Sequence, residues 1–159
     1  MSITQEQLDI CFIVGACLYA LEWVSALFML PWTYRVGLPV VRRKAAAPMG
    51  APSEVSGTLS EVRLRALGLN RWIFRHAVDL FGLHTPFPIR SSATFVGGQL
   101  EVVGRVPLGG VVALASLALG IGGWIGALGA AVFLAVSWVI EEPRFDRDYM
   151  VVSRALILE

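Results

Sequence analysis

The sequence predicts an integral membrane α-helical protein with a small cytoplasmic antiparallel β domain and a short C-terminal amphipathic helix. Three observations predict it. Residues Val106 to Ile140 contain no charged side chain. A second apolar run, Leu8 to Leu30, carries only Asp9 and Glu22 as charges. Between the runs, apolar and charged residues alternate in short stretches. A bilayer core about 30 Å thick needs roughly 20 apolar residues per helix, and a 159-residue soluble domain has no core that would hide a run as long as Val106 to Ile140.

Composition agrees. The chain is 56% hydrophobic and 16% charged, against about 45–50% and about 25% for soluble domains. Outside the two runs, roughly 100 residues are left, enough for one small domain. The net charge of +1 supplies no bulk field for nucleic acid, and no basic stripe interleaved with aromatics appears. Nucleic acid is therefore not an expected partner.

The first run reads as a retained anchor, the domain spanning residues 1–34. Glu6 and Asp9, rather than Lys or Arg, lie at its start, the reverse of a signal peptide. Cys11 and Cys17 sit inside it about 120° apart around the helix, so they cannot pair with one another. They read as small apolar fillers.

Arg35, Arg42, Arg43 and Lys44 follow the anchor, and no basic residue precedes it. The positive-inside bias then puts these four in the cytoplasm, as lipid or partner contacts, and the N-terminus outside. Trp32 and Tyr34 suit the cytoplasmic interface. The segment 35–56 reads as a basic linker that becomes Ala/Pro/Ser-rich from Ala45 to Ser56.

From residue 57 to 106 the pattern is β-like. Thr58 to Leu69 alternates, with Val62, Leu64 and Ala66 against Glu61, Arg63 and Arg65. Arg71 to Leu80 fits a strand or a short helix, and Phe81 to Pro88 is loop-like. Ser92–Val96, Gly97-Gly98 and Gln99–Val106 read as a hairpin, because Gly-Gly supplies the positive φ that a two-residue turn requires. The expectation is a sheet of three to five strands that leans on another element for stability.

The long run, 107–140, is too long for one perpendicular helix and short for two. The reading adopted is a transmembrane hairpin, Pro107–Ile121 and Trp124–Ile140, turning at Gly122-Gly123; it gives three spans with both basic flanks in the cytoplasm. The alternative, two spans in all, uses one tilted helix near Leu117–Val139. Ala118, Gly122, Gly126 and Ala130 recur every fourth position and form a helix-packing stripe. In the tail, 141–159, Phe145, Tyr149, Val152 and Leu156 recur at helical steps, which predicts the amphipathic helix.

Chemistry-bearing residues are few. Glu22 is an intramembrane carboxylate, expensive in hydrocarbon, and so a functional candidate; without a second intramembrane charge it forms no relay. His76, Asp79 and His84 match no closed zinc spacing, and no metal site is expected. Ser91 and Ser92 lack a nucleophile-elbow motif, and both phosphate-binding glycine motifs are missing. No catalytic residue and no cofactor are expected. The sequence thus points to a non-catalytic accessory subunit of a larger membrane complex, with lipid bilayer and other membrane subunits as partners. A stand-alone lipid or ligand sensor working through the arginines, and a transporter component using Glu22, are the other readings.

Overall fold

The computed structural model describes residues 4–46, 55–76 and 89–157. It holds two helices long and apolar enough to cross a membrane and one six-stranded antiparallel sheet. Helix α1 spans Gln5–Leu27. Thr4 starts it with a capping box: its hydroxyl accepts from the Gln7 N–H at 3.4 Å, and the Gln7 side chain accepts from the Thr4 N–H at 3.0 Å. The helix ends at Phe28 and Met29 (φ 50), and a 3₁₀ turn, Pro31–Tyr34, redirects the chain toward the sheet.

The strands are β1 Leu38–Ala46, β2 Gly57–Leu59, β3 Val62–Ala66, β4 Arg71–His76, β5 Arg90–Val96 and β6 Gln99–Val106, in the spatial order β1-β6-β5-β4-β3-β2. The Gly97-Gly98 hairpin forms as expected, with φ values of 59° and 75°. Three expectations are corrected. The sheet has six strands rather than three to five. Part of the presumed 35–56 linker is β1, pairing from Leu38↔Val106 to Ala46↔Gln99. The stretch expected as one strand, 58–69, folds into the β2–β3 hairpin, turning at Ser60 (φ 54). Strand β1 hides in the sequence because it is an edge strand. Pro39, a register shift before Val41, and the charges of Arg42, Arg43 and Lys44 are what edges tolerate. Arg71–His76 resolves as a strand, and the loop reading of Phe81–Pro88 lies outside the described residues.

Helix α2, Leu108–Ile157, is broken at Gly123 (φ 55, ψ −135). A Cβ built on Gly126 would fall onto the carbonyl oxygen of Ala118. In a continuous helix, residues eight apart are about 12 Å apart, so the chain reverses here. The first arm, 108–122, runs antiparallel to α1: Gly15 meets Ala113, Gly109 meets Leu18 and Tyr19, and Gly120 meets Gln5. The second arm, 124–157, runs past Pro143 as one helix, so the tail is no separate element. This costs one backbone hydrogen bond, because Pro143 has no N–H to offer.

The end of the second arm covers one face of the sheet. Phe145, Val152 and Leu156 pack on Val41, Val62, Leu64, Trp72, Phe74, Ala93, Leu100 and Val102 to form the main core. These strand residues all point to one side, as strand alternation demands. A smaller cluster of Met29, Tyr34 and Ile73 ties the 3₁₀ turn to the opposite face.

Candidate functional site

The second face of the sheet follows from the register. Pairs Arg42↔Val103, Lys44↔Glu101, Ser92↔Val103, Arg90↔Arg105, Arg71↔Thr94, Arg65↔Ile73 and Arg63↔Arg75 put eight basic residues on one side. Glu101 is the one acid there among the described residues and pairs with Arg42 at 3.0 Å. Three of the cations reach back to the end of α1 and the turn after it. Arg75 donates to the Leu27 carbonyl, Arg65 to that of Met29, and Arg105 to that of Tyr34. Arg105 also donates to the Ser92 hydroxyl at 2.9 Å. Arg35, Arg71 and Arg105 rim a shallow depression floored by Ile73 and Ser92.

The covered face has the opposite electrostatics. Arg43, on that side of β1, pairs with Asp146 at 3.2 Å and Glu142 at 3.5 Å on the second arm. His76 meets Asp148 at 3.1 Å and Glu61 at 3.7 Å. Burial pushes the Asp148 carboxyl above its ordinary range, and the His76 contact opposes the shift. The acidic surplus of the tail thus neutralises the sheet's covered side and leaves the basic side open.

Where β4 stops and β5 starts, the sheet is wedged between the last turns of α1 and the second arm. A pocket lies there, lined by Trp23, Ala26 and Leu27 from α1, by Arg75, His76, Arg90 and Ser91 from the sheet, and by Glu141, Arg144, Phe145 and Asp148 from the second arm. Arg90 is 3% exposed. Burial holds its pKa below the ordinary guanidinium value, opposed mainly by Glu22. It stays charged at pH 7 nonetheless, because a guanidinium is not deprotonated in proteins. Burial likewise pushes the Tyr34 phenol up to about 12, against the pull of Arg75 and Arg90. Keeping an unsatisfied cation out of water costs several kcal/mol.

Glu22 has a structural use. It is 3% exposed and accepts from the backbone N–H of Gly109 at 3.3 Å and from that of Leu108. These are the first N–H groups of α2, which have no partner within their own helix. The carboxylate caps the helix and answers the positive end of its dipole.

The other expected site residues separate. Arg35 and Lys44 are exposed, and Arg42 and Arg43 lie on opposite faces. Ala118 and Gly126 face one another across the reversal, and a Cβ at Gly122 would meet nothing within 4 Å. Ala118, Gly122, Gly126 and Ala130 are therefore not one helical stripe. Asp79 and His84 lie outside the described residues, and among the described residues no group of three His, Cys, Asp or Glu side chains is placed to hold a metal. Sequence reasoning missed Arg90 and Asp148 as special positions, since nothing local distinguishes a buried Arg from a solvated one. No family model, curated protein or solved structure matches this chain.

Proposed function

We propose that this chain is a non-catalytic accessory subunit of a larger membrane complex. It crosses the bilayer three times, through α1 and the two arms of the hairpin to residue 140. The N-terminus lies outside; the sheet and C-terminus lie in the cytoplasm. The open basic face of the sheet docks an acidic surface of a neighbouring subunit.

The observation that carries this reading is the segregation of charge across the sheet. Besides the buried Arg90, seven cations and one acid lie on the side of the sheet away from the tail, while the chain's own tail satisfies the other side. Such a field gives orientation and partner choice. The membrane reading draws on apolar exposure. Only 6% of the apolar window in α2 is buried, and Ile121, Trp124 and Ile125 are each more than 80% exposed. Exposed apolar surface of this kind marks a membrane or protein–protein contact, which supports the reading. Glu22, used as a helix cap, needs no transport role.

The test is purification from native membranes in mild detergent. Other subunits should accompany the chain, and the triple variant R63E/R65E/R71E should shed them while its own melting temperature moves by only a few degrees. Recovery of wild type as a stable, monodisperse monomer would remove the proposal.

A further inference from the structure

The Arg90 guanidinium sits in its pocket with no hydrogen-bond partner among the described residues. Nε, Nη1 and Nη2 of Arg90 all lack a hydrogen-bond partner among the described residues, and so does Nε of the neighbouring Arg75. The other charges around the pocket are paired with each other, Arg144 with Glu141 at 2.9 Å and His76 with Asp148 at 3.1 Å. Glu22, the strongest opposite charge acting on Arg90, forms no ion pair with it among the described contacts; its carboxylate is turned to the start of α2. A free planar fork of N–H donors matches the two oxygens of a carboxylate or phosphate. The rest of the lining is mostly apolar, with Trp23, Ala26 and Leu27 on the α1 side and Phe145 opposite.

We propose that this pocket binds an oxyanion carried on an apolar body, held by Arg90 and lying against Trp23, Ala26 and Leu27. Its place beside the final turn of α1 puts the oxyanion at headgroup depth if the membrane reading holds. That reading bears on the source of the ligand, while the site stands on its own geometry. The phosphate of an anionic phospholipid and the carboxylate of a fatty acid share this chemistry.

The full chain, purified in mild detergent, is titrated with phosphatidylglycerol, phosphatidylcholine, sodium myristate and inorganic phosphate. Bound adducts are read by native mass spectrometry and stabilisation by thermal melting. One equivalent of phosphatidylglycerol or myristate should bind at least tenfold more tightly than phosphatidylcholine, and the tighter of the two names the source. R90Q should lose at least tenfold in affinity. A26F, which fills the pocket and leaves Arg90 in place, should lose as much, and it decides the matter if R90Q does not fold. Equal binding of phosphatidylcholine, unchanged binding by A26F, or saturation by inorganic phosphate with no preference for an amphiphile would each overturn the proposal. A chain that purifies as a lone monomer yet binds the anionic amphiphile would defeat the subunit reading and leave this one intact.

Discussion

Single side chains decide whether the sheet closes. Phe145 is 3% exposed, and its ring lies 2.9 Å from where a Cβ on Gly104 would stand. Truncation to alanine should cost about 3–5 kcal/mol, as for other buried aromatics. Chemical unfolding in detergent measures it; a loss below about 1 kcal/mol would mean that the second arm does not seal the core. Asp148 supplies a pH dependence. Its folded pKa is raised chiefly by burial, so the folded state holds the proton more tightly than the unfolded state. Stability from this group is therefore lost as pH rises from the ordinary carboxylate range, about 4, through the raised value. Asp148→Asn removes that loss, so the variant should gain on wild type between pH 4 and pH 7 in thermal melts. A difference that is flat with pH would contradict this assignment.

At the scale of elements, close approach of backbones fixes how α1 meets the hairpin. A Cβ on Gly109 would stand 2.5 Å from the Tyr19 nitrogen, and one on Gly15 would stand 2.7 Å from the Ala113 nitrogen. Both clashes are with backbone, which cannot swing aside. Gly109→Val should therefore cost about 1–3 kcal/mol or more through overpacking. Gly129→Val, where a Cβ meets nothing within 4 Å, should be close to neutral; equal melting temperatures for the two would refute this packing. The β5–β6 turn makes a separate demand. Gly98 has φ 75, and alanine there should cost about 1 kcal/mol, because a Cβ crowds the carbonyl in the left-handed region. This turn was legible from two adjacent letters. Strand β1 was not: its three basic residues and Pro39 satisfy an edge and a membrane flank equally, and only the Val106-to-Gln99 partner segment tells them apart.

At the scale of the molecule, the two native cysteines test the environment without any substitution. Cys11 and Cys17 lie exposed on α1. In sealed vesicles a membrane-impermeant maleimide should leave both unlabelled, and denaturing detergent should release both to react. Rapid labelling in the absence of detergent would place α1 in water. Replacing both by serine and introducing Ser60→Cys at the β2–β3 turn then reports the side on which the sheet lies. Labelling from the outer face of intact cells would reverse the proposed orientation.

The sequence by itself determined the two helices, the hairpin at Gly97-Gly98 and the place of the chain reversal near Gly122-Gly123. Each is written in consecutive residues: an uncharged run, an alternation, a residue pair suited to positive φ. What only the tertiary structure decided is which polar groups meet. Glu22 finds the start of α2 eighty-seven positions later, and Arg43 finds Asp146 across the core. Arg90 ends up buried with none of its donors bonded among the described residues. Burial and pairing are properties of contacts between distant segments, and no local pattern encodes which charge the fold will leave without a partner.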